Sequence, residues 1–322
     1  MSKVLVVMDV LEEHKEILNH VSPDLDITYM HWSKLTASDL QDAEVIVGNL
    51  DPKLLVHCKN LKLLQLNNAG TEGFVTNGVL PDGALLANAT GAYGVAMSEF
   101  MMGMLLSIMK KLDLYQSNQK NRIWKDEGGV PSIYGTTTLV VGFGDIGQEF
   151  GRRMHAFGSK VIGIRKHVGE KPDFAEAVYT MEAFSDCLKQ ADIVATCLPG
   201  YEETFKIFDK EAFENMKDGA YFINVGRGTA VDTDCLCEAI ESGKLAGVAL
   251  DVTDPEPLPS EHKLWELPNV VITPHVSGGY HVKESHDRII EIAARNLKHF
   301  ANGEEFENLV DMKTGYTRTN RK

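Results

Sequence analysis

The chain has 322 residues, enough for two domains with separate hydrophobic cores, and its composition is ordinary for a soluble globular protein. Its formal net charge of −14 argues against a nucleic-acid partner and against an anionic membrane surface, because both would repel an acidic protein. The five cysteines lack the spacing of a zinc site or a disulfide framework, and the first apolar run is too short for a signal sequence. We therefore expect a cytoplasmic protein without a metal centre.

Apolar runs of strand length alternate with polar intervals of helix length at the start of the chain. The predicted strands cover residues 4–7, 26–29, 45–47 and 63–66, and the predicted helices between them include residues 12–20 and 38–42. This alternation is typical of a parallel sheet whose strands are joined by helices.

A second alternating series follows a long apolar segment. Residues 95–109 are interrupted by polar residues and predict a buried helix, not a membrane span. The next predicted strands begin at residue 139 and continue at residues 161–164, 193–196, 221–225, 246–250 and 270–273, before a last helix at residues 282–301. We interpret the two long helices as crossings between two α/β domains. The first domain is then discontinuous, with residues 1–98 and 288–322, and the second comprises residues 99–287.

A glycine-spaced motif opens the second series. The motif Gly142-Phe-Gly144-Asp145-Ile146-Gly147 follows a predicted strand and precedes a segment with helical spacing. Gly142 permits a tight turn, Gly144 lets backbone approach a pyrophosphate, and Gly147 lets the helix pack closely on the strand. The helix N-terminus, which includes Asp145 and Ile146, offers N–H groups and a partial positive charge to phosphates. This arrangement predicts that the second domain binds a dinucleotide.

The residues after the following strand indicate which dinucleotide is bound. In this fold an acidic residue about twenty positions past the glycines binds the ribose hydroxyls of NAD. Here the strand ends at Ile164, and Arg165, Lys166 and His167 follow it without a carboxylate. A 2′-phosphate requires cations, and a guanidinium can also lie on the adenine ring. We predict NADP(H) as the preferred cofactor and NAD(H) as the alternative. In the competing interpretation, these cations are merely solvated charges at a strand end.

Three later segments each place a polar residue just beyond a predicted strand, where open α/β sheets bind their ligands. Arg227 stands between glycines, Glu256 between prolines, and His275 after Thr273-Pro274. Taken singly, they could be a surface charge, a turn residue and a structural histidine. Together, behind a dinucleotide motif, they predict an acid–base pair with an anion clamp.

These motifs resemble the D-isomer-specific 2-hydroxyacid dehydrogenase family along almost the whole chain. The matching stretches are Asn68-Ala-Gly-Thr-Glu72, Asn88-Ala-Thr-Gly-Ala-Tyr93, the glycine motif, Leu198-Pro199 through Thr204, Asn224-Val-Gly-Arg-Gly228, Leu250-Asp251 with Pro255-Glu-Pro257, and Thr273-Pro-His275. Two residues depart from the family pattern. Glu72 stands where many relatives have Asp, and Arg165 replaces the common NAD-selecting acid. The second departure suggests the NADPH-linked glyoxylate and hydroxypyruvate reductase branch.

The resemblance implies two Rossmann-like, doubly wound parallel-sheet domains with the active cleft between them, the substrate domain being formed from both chain ends. It implies that protonated His275 donates a proton to the substrate carbonyl oxygen. Glu256 would hydrogen-bond to the imidazolium and favour its charged form, and Arg227 would bind the substrate carboxylate. A homodimer is also implied.

Further ligand contacts follow from the same resemblance. The backbone N–H groups of Ala69 and Gly70 would close over the substrate carboxylate, and Asp251 would hold the nicotinamide carboxamide. The other cofactor contacts implied are Leu198, Pro199, Thr204, Val225, Gly226, His275 and Gly278.

The implied reaction is reduction of a 2-oxo acid to a D-2-hydroxy acid, with glyoxylate or hydroxypyruvate as the type of substrate. One alternative is a broad-range reductase of branched-chain 2-oxo acids, of the D-2-hydroxyisocaproate type. An alternative from another class is a non-catalytic dinucleotide sensor that binds partners through the same cleft. The complete set of Arg227, Glu256 and His275 argues against the sensor, because a sensor could lose any of them without harm.

Overall fold

The structure is a computed structural model that describes residues 1–76, 78–167, 169–279 and 282–318. The chain divides into two compact units. The first unit comprises Met1–Tyr93 and Val282–Lys322, and the second comprises Gly94–His281. Both transitions lie a few residues before the boundaries predicted at 98 and 288.

Strands and helices alternate through both units. The strands are β1 (Ser2–Val6), β2 (Leu25–Tyr29), β3 (Val45–Val47), β4 (Leu63–Gln65), β5 (Leu85–Ala87), β6 (Thr137–Val141), β7 (Lys160–Ile164), β8 (Ala177–Tyr179), β9 (Ile193–Thr196), β10 (Ala220–Asn224), β11 (Leu245–Leu250) and β12 (Val270–Ile272). The α-helices are α1 (Glu12–Asn19), α2 (Ala37–Leu40), α3 (Gly94–Met109), α4 (Leu112–Lys120), α5 (Asp145–Ala156), α6 (Phe184–Leu188), α7 (Lys210–Asn215), α8 (Thr233–Glu241) and α9 (Lys283–Asn302).

The first unit contains a parallel sheet with the strand order β2-β1-β3-β4-β5. Its inner strands are short and almost wholly apolar, as expected for a sheet that is covered on both faces. Every residue of β3 and β4 is buried. The core of this unit is therefore built mainly from the aliphatic side chains of its central strands.

The polypeptide after α9 returns to the edge of this sheet. The amide of Val310 donates a hydrogen bond to the carbonyl of Leu86 at 2.8 Å, and the amide of Asn88 donates to the carbonyl of Asn308 at 3.2 Å. The N-terminal strands and the segment after α9 are thus hydrogen-bonded parts of one unit.

Helices α1 and α9 meet at a polar cluster in the same unit. Potential metal-ligand atoms of Glu13, His14 and Asp287 lie within 4.8 Å of one another. The ammonium of Lys283 lies 2.9 Å from a carboxylate oxygen of Glu13 and 2.9 Å from both carboxylate oxygens of Asp287. Its hydrogen bond lowers the pKa of Asp287, with a smaller contribution from His14. Because a cation of the protein already balances these carboxylates, we assign no metal to the cluster.

The second unit contains a parallel sheet with the strand order β12-β11-β10-β9-β6-β7-β8. The chain starts in the middle of this sheet at β6, builds outwards through β7 and β8, and then crosses to β9 on the other side of β6. That reversal is the topological switch point, where open α/β sheets bind ligands beyond the carboxyl ends of the strands. The predicted fold of two doubly wound, parallel-sheet units is confirmed.

Helix α3 opens the second unit and is buried along most of its length, as predicted from its apolar sequence. The five methionines at positions 97, 101, 102, 104 and 109 are all buried and serve as packing residues. A Cβ atom at Gly94 would lie 2.7 Å from the Asp145 carboxylate, so a larger residue at the start of α3 would require the Asp145 side chain to move.

In the described ranges, no helix combines the length and apolarity needed to cross a bilayer. The sequence patterns located most of the strands and long helices to within a few residues. They missed β5 and β8, which are three residues long, and β8 contains no fully buried residue.

Candidate active site

The glycine motif forms the turn between β6 and α5. Gly142 has a φ of +93°, which favours glycine, and a Cβ atom there would lie 2.8 Å from the carbonyl carbon and oxygen of Cys197. A Cβ atom at Gly147 would overlap the carbonyl oxygen of Gly142. These two glycines are therefore required by close packing within the protein itself.

Gly144 differs from its neighbours because it faces open space. A Cβ atom at this position would meet no described atom within 4 Å. Within the described part of the chain, the amides of Gly144 and Ile146 donate no hydrogen bond. Unsatisfied N–H groups at the start of a helix bind anions. The turn thus fits a dinucleotide pyrophosphate, and the contact of these residues with it stays a prediction.

The loop after β9 lies directly beside this turn. Thr204 is buried, and its hydroxyl donates a hydrogen bond to the carbonyl of Pro199 at 2.6 Å and accepts one from the amide of Tyr201 at 3.1 Å. Thr204 therefore fixes the shape of the loop that carries Leu198 and Pro199. Burial raises the pKa of the Cys197 thiol to about 12, so this cysteine is not a thiolate nucleophile at neutral pH.

Two cations follow β7 at the predicted position of the adenosine ribose. The guanidinium Nη2 of Arg165 donates to the carbonyl of Glu170 at 3.0 Å, while its Nε is buried and has no hydrogen-bond partner among the described residues. The ammonium of Lys166 lies 2.9 and 2.8 Å from the two carboxylate oxygens of Glu203. An orphaned guanidinium donor beside a second cation fits a site for an anionic group.

The turn after β10 is held by Asn224, a residue to which the sequence analysis gave no role of its own. Its buried side chain accepts a hydrogen bond from the amide of Gly226 at 3.0 Å and donates one to the carbonyl of Arg227 at 3.0 Å. A Cβ atom at Gly228 would overlap the carbonyl of Thr253. The turns after β10 and β11 are thus in direct backbone contact, and the guanidinium Nη1 of Arg227 donates to the carbonyl of Gly226 at 2.9 Å.

Asp251, at the end of β11, is 1% exposed and accepts four hydrogen bonds from the loop after β12. One carboxylate oxygen accepts from the hydroxyl of Thr273 at 2.6 Å and the amide of Val276 at 3.0 Å. The other accepts from the amide and the hydroxyl of Ser277 at 3.0 and 2.5 Å. The predicted contact of this carboxylate with a nicotinamide carboxamide stays a prediction, whereas its contact with the loop is direct.

His275 lies in the middle of that loop, in a left-handed conformation with φ +52°. Its Nδ1 is 2.7 Å from a carboxylate oxygen of Glu256, and the two side chains are 45% and 42% exposed. Because a carboxylate only accepts hydrogen bonds, Nδ1 carries the proton of this contact. His275 Nε2 makes no hydrogen bond to any described residue and can donate a proton to a ligand.

The loop predicted to bind the substrate carboxylate belongs to the first unit. Residues 67–70 follow β4, and the side chain of Asn88 donates to the carbonyl of Ala69 at 2.7 Å. In the ranges that the structure describes, the amides of Ala69 and Gly70 donate no hydrogen bond. Their assignment to a substrate carboxylate stays a prediction.

Within the second unit, the predicted residues thus lie at the carboxyl ends of adjacent strands. His275 and Glu256 are in direct contact, and the loops of Arg227 and Glu256 touch through the backbone. The remaining predicted contacts are the residues that line these loops, namely Leu198, Pro199, Val225, Gly226 and Gly278. Sequence reasoning missed the supporting roles of Asn224, Thr273 and Ser277; polar residues at or shortly after the predicted strand ends were the available signal.

The glycine motif yields a paired prediction. Gly144→Ala places a methyl group where the structure leaves open space, so it should leave the melting temperature unchanged and raise the dinucleotide Kd by about tenfold or more. Gly147→Ala should instead destabilise the protein by about 1–3 kcal/mol, because its methyl group overlaps backbone. Thermal unfolding and dinucleotide titration of both variants measure the difference. Equal loss of stability in the two variants would refute the distinction.

Comparisons with known proteins agree with this geometry. The sequence model of the D-isomer specific 2-hydroxyacid dehydrogenase NAD-binding domain matches residues 102–277. A glyoxylate reductase of Thermofilum pendens is 30% identical over 268 residues, which are 81% of this chain and 78% of that enzyme.

Solved structures extend the similarity to the whole chain. A D-isomer specific 2-hydroxyacid dehydrogenase family protein from Aeromonas salmonicida subsp. salmonicida is 31% identical, with a TM-score of 0.85 over 97% of this chain and 99% of that one. An NADPH-dependent glyoxylate/hydroxypyruvate reductase from Sinorhizobium meliloti, solved with NADP and sulfate, is 26% identical, with a TM-score of 0.83 over 98% and 100% of the two chains. The chain belongs to the D-isomer specific 2-hydroxyacid dehydrogenase family of oxidoreductases, and its second unit is the nicotinamide dinucleotide-binding domain.

Proposed function

We propose that this protein reduces a small 2-oxo acid of the glyoxylate and hydroxypyruvate type to the D-2-hydroxy acid, with NADPH as the preferred cofactor. The observation that carries this proposal is the 2.7 Å hydrogen bond between His275 Nδ1 and Glu256. It orients an imidazole whose other nitrogen can donate a proton to a ligand. The similarity to reductases of glyoxylate and hydroxypyruvate supports the substrate class.

The residues divide the chemistry between them. When bound, the reduced nicotinamide supplies a hydride to the carbonyl carbon of the substrate. His275 donates a proton from Nε2 to the carbonyl oxygen, which yields the hydroxyl group. Glu256 accepts the hydrogen bond from Nδ1 and stabilises the imidazolium before the transfer. Arg227 binds the substrate carboxylate, because a guanidinium fork matches two carboxylate oxygens.

The preference for NADPH is assigned to Arg165 and Lys166. Arg165 has a buried Nε without a hydrogen-bond partner among the described residues, and no acidic residue follows β7 at the position that selects NAD. A 2′-phosphate would supply the missing acceptor and would be attracted by both charges.

A homodimer is proposed as the oligomeric state. Helix α4 and the residues after it expose apolar side chains, as expected for a surface that associates with a second copy of the chain. These side chains belong to Leu112, Leu114, Tyr115, Ile123, Trp124, Val130 and Tyr134. Light scattering should give twice the chain mass of 35.6 kDa, and a mass equal to one chain would contradict the dimer.

Initial rates with NADPH and NADH against a panel of 2-oxo acids test the reaction. The panel comprises glyoxylate, hydroxypyruvate, pyruvate, 2-oxoisocaproate and phenylpyruvate. We expect the highest kcat/KM with NADPH and glyoxylate or hydroxypyruvate. Highest activity with 2-oxoisocaproate would support the branched-chain reductase instead, and tight NADPH binding without any turnover would support the dinucleotide sensor.

His275→Ala should lower kcat by about a hundredfold or more, because a positioned general acid contributes about that much. The Kd for NADPH should remain close to that of the unchanged protein. His155→Ala is the matched control, since His155 is an exposed histidine in helix α5 of the same unit. A fall in NADPH affinity that parallels the fall in turnover would show that His275 is structural.

Replacing Arg165 by Asp and Lys166 by Ser should raise the Kd for NADPH at least about tenfold more than the Kd for NADH, because charged hydrogen bonds to the 2′-phosphate are lost. Lys160→Ser is the control, because Lys160 lies at the amino end of the same strand, whereas Arg165 and Lys166 follow its carboxyl end. Titrations of both cofactors measure the ratio. Equal losses for NADPH and NADH would contradict the assignment of these cations to the 2′-phosphate.

A further inference from the structure

An ion pair joins the loops on either side of the glycine motif. Lys166 follows β7, and Glu203 lies in the short helical turn Glu202–Thr204 that follows β9. Strands β7 and β9 both flank β6. The Lys166 ammonium lies 2.8 and 2.9 Å from the two Glu203 carboxylate oxygens, and the side chains are 37% and 67% exposed. A carboxylate therefore already binds one of the two cations assigned to the 2′-phosphate.

A carboxylate in this place has two effects on a phosphate bound by the same lysine. It must give up or share its contact with the ammonium, and its own negative charge repels the dianionic phosphate. Both effects are moderate, because the pair is partly exposed and is screened by salt. Neither effect applies to a ribose hydroxyl, which is uncharged. By this reasoning Glu203 weakens the binding of NADPH and leaves the binding of NADH nearly unaffected.

We propose that Glu203 determines cofactor selectivity: its carboxylate competes with the 2′-phosphate for Lys166 and limits the preference for NADPH over NADH. This inference rests on the proposed role of Arg165 and Lys166. Arg165 is not subject to the same competition, because its guanidinium donates a hydrogen bond to a backbone carbonyl, that of Glu170, and not to a carboxylate. The competition of Glu203 with the 2′-phosphate is therefore exerted through Lys166, and the direct repulsion by its carboxylate adds to it.

The neighbouring residue provides a matched control. Glu202 lies in the same short helical turn and is exposed, and its side chain has no hydrogen bond or ion pair with any residue that the structure describes. Glu202→Gln and Glu203→Gln therefore make the same change of charge one residue apart. Only the second variant removes a carboxylate that contacts Lys166.

The experiment is equilibrium titration of the intact protein and its variants with NADPH, NADH and 2′,5′-ADP at fixed ionic strength. We expect Glu203→Gln to lower the Kd for NADPH and for 2′,5′-ADP by about three- to tenfold, and to change the Kd for NADH by less than about twofold. Glu202→Gln should leave the ratio of the Kd for NADPH to the Kd for NADH within about twofold of its value in the unchanged protein. The gain in NADPH affinity from Glu203→Gln should largely disappear when Lys166 is absent. The double variant Lys166→Ser, Glu203→Gln should therefore bind NADPH only slightly more tightly than Lys166→Ser does.

Two results would overturn the proposal. One is a Glu203→Gln variant whose selectivity equals that of Glu202→Gln, and the other is weaker NADPH binding, which would mean that Glu203 holds Lys166 in place for the phosphate. The underlying cofactor assignment is judged separately, by the Arg165→Asp, Lys166→Ser variant. If that variant loses NADPH selectively while Glu203→Gln changes nothing, only the role of Glu203 is wrong.

Discussion

One buried carboxylate, that of Asp251, holds the loop on which the proposed chemistry depends. Its four hydrogen bonds come from residues on both sides of His275, and the backbone carbonyl of Asp251 accepts a further one from the His275 amide at 2.8 Å. A left-handed conformation is unfavourable for histidine, so the surrounding contacts must stabilise it. The end of β11 thereby fixes a side chain that belongs to the loop after β12.

Close contact between neighbouring loops is the second requirement, and glycine makes it possible. The parallel sheet brings the carboxyl ends of its strands to one edge, but the loops there touch only because a Cβ atom is absent at Gly142, Gly226 and Gly228. Gly144 differs from these three glycines, since a Cβ atom there would meet no described atom within 4 Å. The same residue type thus permits close protein packing at three positions and leaves open space at a fourth.

Periodicity and turn chemistry predicted the parallel α/β architecture, because buried parallel strands are continuous apolar runs. They also identified the strand ends that carry Arg227, Glu256 and His275. The pattern predicted an acid–base pair, but the hydrogen bond between His275 and Glu256 was expected only from the family resemblance. Contacts such as Lys166 with Glu203, or Asn224 with its own turn, join residues without any periodic relation. Their partners become known only once the loops are placed in three dimensions.

The discontinuity of the first unit also fixes the order in which the protein can be completed during synthesis. All strands of the second sheet have been made by residue 272, whereas the edge of β5 still lacks its partners Asn308 and Val310. Domains fold as units while the chain emerges, so the dinucleotide-binding domain can form before the unit that contains the N-terminus is finished. Until then Leu86 and Asn88 present unpaired backbone groups at a sheet edge, the type of surface that promotes association between nascent chains.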